Sequence, residues 1–292
     1  MSYLLWTIQL LLIPLFSPLA IGLTRSVKAR FQNRRGASPL QPYNDLWKLL
    51  HKGEVQSVDA SWIFRIAPFI VFTATLVIAA SIPLVSLTTH SSTSDLLFLI
   101  GLLALEAFWI ALAGLDVGSP FGGFGSSRQM MVAAFTEGVL VLSLFALALM
   151  RHTTDLFGIA AGHGAVVPVA VAGVAFFIAL LSETMRYPFD NPATHLELTM
   201  IHEAMILEYS GPRLALMEWA AANKYLIFIA LFANLFVPIY AVSALALIVK
   251  ALVVIFFIAT LESSIAKLRI FRLPDLLFTA TVLSIIAIVL SL

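Results

Sequence analysis

The chain has 292 residues, of which 61% are hydrophobic and only 11% are charged, and its mean hydropathy is +1.00. Because a water-soluble domain carries about 25% charged residues, this composition excludes a soluble enzyme and leaves no room for a separate soluble domain. The net charge of +1 gives no indication of nucleic-acid binding, and the lack of cysteine excludes cysteine-ligated iron–sulfur clusters within this chain.

Eight long apolar runs predict eight membrane-spanning helices, since about 20 apolar residues are needed to cross ~30 Å of hydrocarbon. The predicted spans are 3–24, 65–87, 96–115, 129–150, 164–182, 214–238, 239–261 and 273–292. Membrane strands are excluded because they alternate in polarity over about ten residues. The expected fold is an all-α polytopic membrane protein that forms a single membrane domain over residues 1–292.

The lysines and arginines predict the orientation of these spans. Most of them lie in the loops 25–64, 116–128, 183–213 and 262–272, whereas the opposite loops contain only Arg151. Because positively charged loops stay on the cytoplasmic side, we expect these four loops in the cytoplasm and both termini outside. No charge precedes the first run and five cations follow it, so we interpret it as a retained span rather than a signal peptide.

The first of these loops contains a short amphipathic segment, PYNDLWKLLHKGE, at residues 42–54. One face of the segment is apolar and consists of Tyr43, Leu46, Trp47, Leu49 and Leu50. The pattern predicts a short cytoplasmic helix lying at the membrane interface. It is either a plain interfacial anchor or a helix that covers an entrance from the membrane into a partner subunit.

The segment 182–211, SETMRYPFDNPATHLELTMIHEAMILEYSG, concentrates ionisable side chains between two apolar spans. They are Glu183, Arg186, Asp190, His195, Glu197, His202, Glu203 and Glu208. Ionisable groups near bilayer depth are costly and mark a proton, ion or substrate path by default. A continuous helix over 195–209 would place carboxylates on one face and imidazoles on another. The alternative is a solvated loop that carries a surface helix.

Charged residues also lie well inside predicted spans, and the strongest candidates among them are Glu106, Glu137, Lys224 and Lys250. A carboxylate whose burial is balanced by a nearby cation can exchange protons near neutral pH. The first two are flanked by long apolar stretches and are therefore candidates for a proton relay. The alternative is a packed ion pair, for example with Lys224 or Lys250.

Residues 116–129, DVGSPFGGFGSSRQ, predict a flexible turn, or a surface on which another backbone packs closely. The stretch has no GK[ST] sequence, so it is not a phosphate-binding loop. The pair His202–Glu203 lacks the second histidine of an HExxH zinc site.

Several motifs resemble a known family of membrane subunits. The stretch ETMRYPFDNP at 183–192, Glu197, and EYSG at 208–211 resemble subunit 1, or the H subunit, of respiratory complex I. The longer stretches DNPATHLELTMIHEAMILEYSG and LDVGSPFGGFGSSRQM resemble more closely the membrane subunit of group-4 energy-converting nickel–iron hydrogenases of the formate hydrogenlyase type. The resemblance covers the whole chain.

The resemblance implies a membrane subunit without a cofactor, in the inner membrane of a prokaryote. It implies docking of the hydrogenase large and small subunits and an iron–sulfur protein, which would carry the nickel–iron centre and the clusters. It also implies that acidic residues begin a half-channel toward antiporter-like membrane subunits. The matching proton-path positions are Glu183, Asp190, Glu197 and Glu208 in both branches, His195, His202 and Glu203 in the hydrogenase branch, and more loosely Glu106 and Glu137.

We add Lys224 and Lys250 to the expected path as the cations inside spans. For docking of the peripheral arm we expect contributions from Arg186, Asp45, Trp47, Lys48 and Arg128. Two positions depart from the family pattern. Gln129 stands where a glutamate is expected, and Gly53 interrupts the usual Lys-Glu ending of the amphipathic helix.

Two other functions remain open from the sequence. The same scaffold serves a complex without a nickel–iron site or a quinone-reducing enzyme, in which the amphipathic helix and the 182–211 loop would cap a quinone cavity. A freestanding cation/proton transporter is the third possibility, and the lack of inverted repeats argues against it.

Overall fold

The computed structural model describes residues 2–84, 93–162, 165–190, 200–237 and 244–292. The side chains of residues 2–9 and of Ala244 are outside this description. The described residues form eleven α-helices. They are α1 (Ser2–Phe31), α2 (Gln41–Leu50), α3 (Trp62–Ser81), α4 (Leu96–Asp116), α5 (Pro120–Arg151), α6 (Leu156–Ala161), α7 (Val166–Glu183), α8 (His202–Ile206), α9 (Gly211–Leu235), α10 (Ala244–Ser264) and α11 (Leu273–Ser291).

Eight of these helices are long and apolar enough to cross a membrane: α1, α3, α4, α5, α7, α9, α10 and α11. The all-α polytopic fold is therefore confirmed, and α2 is the short helix expected in the first loop. The predicted junction at Pro238 lies outside the described residues.

The spans pack as two connected groups. Helix α9 is the most buried span and packs against α1, α3 and α10, while α5 packs against α4, α7 and α11. Helices α7 and α9 meet through aromatic rings, because Phe176 lies 4.8 Å from Phe236 and 5.9 Å from Phe228 between ring centroids. This aromatic layer fills the middle of the bundle with groups that carry no charge.

Helices α2 and α8 lie at one end of the bundle, which we call the basic end because the lysine- and arginine-rich loops meet there. The loop after α2 is tied to the start of α9, since Ser210 Oγ donates to the Val55 carbonyl at 2.6 Å and accepts from the Val55 amide at 2.8 Å. Ser61 caps the first turn of α3 and donates to the carboxylate of Asp116 at the end of α4, at 2.6 Å.

The glycine-rich segment after α4 differs from its prediction as a turn. Helix α5 begins at Pro120, so only residues 117–119 connect it to α4. Its glycines allow close packing: a Cβ on Gly122 would lie 2.2 Å from the Gly114 carbonyl, and one on Gly125 would lie 2.9 Å from the Ile201 carbonyl. These close approaches are made within the chain, by α4 and by the segment that leads into α8.

Candidate functional site

Three charged side chains meet inside the bundle, and we call them the Lys224 cluster. Lys224 Nζ of α9 lies 2.7 Å from Glu183 Oε2 at the end of α7 and 3.5 Å from Glu106 Oε2 of α4. The exposed fractions of these residues are only 6%, 7% and 1%, respectively. The sequence placed all three on the proton path, and the structure brings them together from three spans.

The charge balance of the Lys224 cluster is uneven. One ammonium faces two carboxylates, so the cluster would carry a net negative charge if both carboxylates were ionised. An uncompensated charge in a low-dielectric interior is costly. Binding one proton makes the cluster neutral, which gives this site the chemistry of a proton-holding group.

A small cavity of about 40 Å³ adjoins the Lys224 cluster. Gln129 and His202 line it together with the three charged residues. The buried Gln129 Oε1 accepts no hydrogen bond from the residues that the structure describes. A water needs about 10–15 Å³ and polar partners, so this cavity has room for a water that donates to Gln129.

Next to the cluster, Glu262 at the end of α10 joins two cations. Its carboxylate lies 3.2 Å from Lys28 Nζ of α1 and 3.3 Å from Arg186 after α7. The guanidinium of Arg186 lies 4.2 Å from the centroid of the Tyr225 ring, and the Tyr225 hydroxyl is 2.8 Å from Thr24 Oγ1. Burial tends to lower the pKa of Arg186, but the Glu262 carboxylate outweighs it and raises that pKa.

Asp190 connects the segment after α7 to the start of α8. Its carboxylate accepts from Lys267 Nζ at 2.7 Å, from the Ile201 amide at 2.9 Å and from the His202 amide at 3.4 Å. Asp190 is 3% exposed. Asp190 therefore fixes the position of the His202 backbone, and the ammonium of Lys267 compensates the charge of Asp190.

His202 has a lowered pKa. The main cause is burial, which disfavours the imidazolium, while the charges of Glu203 and Asp190 oppose the shift. The described backbone around it differs from the predicted continuous helix over 195–209, because α8 covers only His202–Ile206. His202 is consequently a neutral imidazole near pH 7 that can accept or donate a proton.

A second, larger cavity of about 620 Å³ opens at the basic end. It shares Thr184, Met185, His202 and Ala221 with the small cavity, so these residues form the partition between the two. Protons that enter the large cavity thus have only this partition between them and the Lys224 cluster. His202 is the titratable group in it.

The remaining predicted proton-path residues lie at different depths. Glu203 lines the large cavity, and half-buried Glu137 of α5 lies within the electrostatic range of Glu183 and Lys224. Glu208 is exposed and lines neither cavity. Lys250 is buried elsewhere, with Nζ 3.5 Å from Asn234 Oδ1. His195 and Glu197 belong to residues 191–199, which lie outside the described part of the chain.

The expected docking residues are also distributed unevenly. Trp47 is 67% exposed on α2 and packs against His51, and Lys48 is exposed beside it. Asp45 is half-buried and faces the large cavity, and Arg128 donates to the Met200 carbonyl at 3.2 Å. Arg186, in contrast, lies inside the bundle, so its contacts are with Glu262 and not with a docking surface.

Several residues of the site were not predicted from the sequence. Lys28 and Lys267 were counted only among the orienting charges, and Glu262 was not placed on the predicted proton path. Nothing in the sequence indicates that Tyr225 stacks under Arg186. Gln129 was noticed only as a departure from a family pattern, and that departure was the one signal that pointed to it.

The chain contains no cysteine. Across the described residues, no group of three histidines, aspartates or glutamates is arranged to hold a metal ion. The side chains of both cavities are suited to binding protons and to making hydrogen bonds.

The eight described spans give the chain the architecture of a multi-span membrane subunit of the kind found in respiratory complexes. The NADH dehydrogenase family model matches residues 4–292. The chain is 33% identical over 286 residues to formate hydrogenlyase subunit 4 of Escherichia coli (strain K12), covering 92% of each chain. It is 35% identical over 235 residues to hydrogenase-4 component C of the same organism, covering 79% of this chain and 74% of that one.

More distant relatives agree with this assignment. A subunit of the NADH-quinone oxidoreductase of Cytophaga hutchinsonii is 29% identical over 251 residues, covering 71% of this chain and 68% of that one. A chain of the membrane-bound sulfane sulfur reductase, an archaeal respiratory membrane complex, has the same fold, with a TM-score of 0.84, 20% identity, and coverage of 100% and 99%. The chain therefore belongs to the NADH dehydrogenase family, and the resemblance stated from its motifs is confirmed.

Proposed function

We propose that the chain is the membrane anchor and proton-coupling subunit of a membrane-bound hydrogenase complex of the formate hydrogenlyase type. The observation that carries the proposal is Lys224, held between Glu183 and Glu106 inside the bundle and separated from a cavity at the basic end by a thin partition. The two Escherichia coli relatives support the assignment to the hydrogenase branch.

The path that we propose begins in the large cavity and crosses the partition at His202 to the Lys224 cluster. From there it leaves sideways through half-buried Glu137 on α5. A continuation along α9 is less favourable, because Asn234, the polar side chain that contacts Lys250, lies ten residues from Lys224, or about 15 Å. The rings of Phe228 and Phe236 flank Asn234 along the helix. A lateral exit suits a half-channel that passes protons to neighbouring antiporter-like membrane subunits.

In the assembly that we propose, the basic end faces the cytoplasm of a prokaryote and both termini lie outside. The exposed residues of α2, with Trp47 and Lys48, would contact the peripheral arm. That arm would consist of the hydrogenase large and small subunits and an iron–sulfur protein, which hold the nickel–iron centre and the clusters. Metal analysis of the complex purified through a tag on this chain tests the assignment, because iron without nickel would contradict it.

Proton coupling is tested on the intact complex in sealed vesicles. Glu183→Gln and Lys224→Met should lower proton movement per electron pair by about tenfold, because each removes one charge from the Lys224 cluster. Asp275→Asn is the matched control, since Asp275 is an exposed carboxylate in the first turn of α11. Assembly is checked by copurification of the partner subunits. Proton movement in both cluster variants equal to that of the control would reject the relay.

A further inference from the structure

The large cavity at the basic end contains more charge than the proposed proton path uses. Its cationic wall comes from α1 and the segment that follows it, with Arg25, Lys28, Arg34 and Arg35. Arg186, after α7, is a fifth cation in the lining. Five carboxylates also line it: Asp45 of α2, Asp190 after α7, Glu203 of α8, Glu218 of α9 and Glu262 of α10. Three of these charges are already paired, because Arg186 contacts Glu262 and Asp190 contacts Lys267.

Most of these charges have no ion-pair partner in the part of the chain that the structure describes. Lys28 is satisfied by Glu262. Glu218 lies within electrostatic range of Glu203, Arg25 and Asp45, and it makes no ion pair with a described residue. Arg34 and Arg35 make no ion pair with a described residue, and neither do Asp45 and Glu203. Asp45 Oδ1 accepts a hydrogen bond from Gln41 Nε2 at 2.8 Å. Two guanidinium groups, the second oxygen of Asp45 and the Glu203 carboxylate thus remain for a ligand.

Toward the membrane interior the same cavity is apolar. Pro18 and Ile21 of α1 line it, as do Leu46 of α2 and Ala222 of α9. Along α1, Pro18 lies seven residues, or about 10 Å, from Arg25. A ligand that fills the cavity must therefore have an apolar portion and a head with charges of both signs. The volume of about 620 Å³ is in the range of ordinary ligand sites, ~300–1,000 Å³.

The cavity also lies beside lipid-facing helix surface. The hydroxyl of Tyr43 on α2 donates to the Leu15 carbonyl of α1, where the Leu15 and Leu11 side chains are each 59% exposed. The loop that carries the two free arginines is held to α1, since Ser26 Oγ donates to the Ala37 carbonyl at 3.2 Å. A lipid lying along α1 would place its acyl chain against the apolar wall and its head group beside the arginines.

We propose that this cavity binds an aminophospholipid, with its phosphate at Arg34 and Arg35 and its primary ammonium at Asp45 and Glu203. Guanidinium groups bind phosphate oxygens through paired, charge-assisted hydrogen bonds. A primary ammonium has three N–H donors for the carboxylates, whereas a choline head has none. A glycerol head carries no positive charge and would leave both carboxylates facing a neutral group.

The test uses the intact complex, delipidated and then incubated in vesicles that contain phosphatidylethanolamine, phosphatidylcholine and phosphatidylglycerol in equal amounts. Native mass spectrometry then counts the lipids that remain bound. We expect retained phosphatidylethanolamine in the wild type and a decrease of at least about tenfold in Arg34→Ala/Arg35→Ala, since the loss of even one charge-assisted hydrogen bond has this effect. Arg30→Ala is the matched control, because Arg30 is an exposed arginine of α1 that does not line the cavity.

A second variant tests the other half of the head. Asp45→Asn/Glu203→Gln should retain phosphatidylglycerol as well as phosphatidylethanolamine, since the carboxylates no longer select for the ammonium. This variant also keeps the proposal testable if the arginine variant does not assemble. Inorganic phosphate in excess should leave the retained lipid in place, because phosphate makes no contact with the apolar wall.

Four results would overturn the proposal. They are equal retention of the three lipids by the wild type, equal loss in the Arg30 control, displacement of the lipid by inorganic phosphate, and retention of an isoprenoid quinone in its place. Because lipid retention is measured without turnover, its failure leaves the proton-coupling proposal untouched. Failure of proton coupling likewise leaves the lipid measurement interpretable.

Discussion

Replacing Glu262 by glutamine should be among the most damaging single changes at the basic end. The carboxylate compensates Lys28 and Arg186 at 3.2 and 3.3 Å, and the side chains of the three residues are 1%, 16% and 8% exposed, respectively. Breaking a buried ion pair by removing one partner costs about 3–5 kcal/mol, because the other charge stays buried without compensation. Glu262→Gln therefore leaves two cations, Lys28 and Arg186, buried without a compensating charge.

The chain offers a matched control for this measurement. Glu54 pairs with Arg213 near the surface, where the two side chains are 28% and 19% exposed. Surface pairs contribute about 0–1 kcal/mol, so Glu54→Gln should change the free energy of unfolding by no more than this. Thermal unfolding in detergent is the assay. At about 2–4 °C per kcal/mol, Glu262→Gln should lower the Tm by roughly 6 °C or more.

Equal Tm values for the two variants would refute the argument that Glu262 compensates two buried cations. A double variant, Lys28→Met with Glu262→Gln, sharpens the test because it removes one of the two cations together with the carboxylate. It should recover part of the loss, since deleting both members of a buried pair is less damaging than deleting one. No recovery would mean that the destabilisation comes from packing around Glu262 and not from charge.

Three further changes have expected outcomes. Gly125→Ala should destabilise the chain by about 1–3 kcal/mol through overpacking against the segment before α8, whereas Gly123→Ala, with open space around its Cβ, should stabilise α5 slightly. Burial lowers the pKa of His202 below 6.5, so the unfolded chain takes up a proton first as the pH falls. Tm should therefore decrease below about pH 6.5 and be constant above it, and His202→Gln but not His51→Gln should flatten that slope. Tyr209→Phe keeps the ring stacking and loses a 2.8 Å hydrogen bond to a carbonyl, so its measured free energy of unfolding should fall by about 0.5–1.5 kcal/mol.

The spans were predictable because length and hydropathy alone decide them. A run of about 20 apolar residues has few alternatives to a membrane helix, since each unpaired backbone group in lipid is costly. Glu106 and Lys224 were also recognisable, because a charge inside an apolar run stands out whatever the fold. Glu183 was recognisable as the first acidic residue of the charged segment 182–211. The proximity of these three side chains was not predictable, because it depends on how α4, α7 and α9 are arranged around one another.

The predictions for the short elements were wrong for a different reason. Glycine and proline favour turns in a soluble chain, so residues 116–129 were predicted as a turn, yet Pro120 is favourable at the first position of α5. The glycines then serve packing and not flexibility. The predicted helix over 195–209 rested on periodicity alone, and the described part shows only the short α8, capped through a distant carboxylate, Asp190.

The unpaired oxygen of Gln129 allows a direct test of how many protons the Lys224 cluster holds. One ammonium balances one carboxylate, so every additional carboxylate in this buried cavity should keep its proton. Gln129→Glu adds one such group at nearly unchanged volume, whereas Gln129→Met removes the buried acceptor. The carbonyl-stretch infrared band of protonated carboxyl groups should therefore roughly double for the glutamate variant and stay constant for the methionine variant. An unchanged band in Gln129→Glu would show that the cavity tolerates an uncompensated negative charge, and the proton-holding role of the cluster would then be rejected.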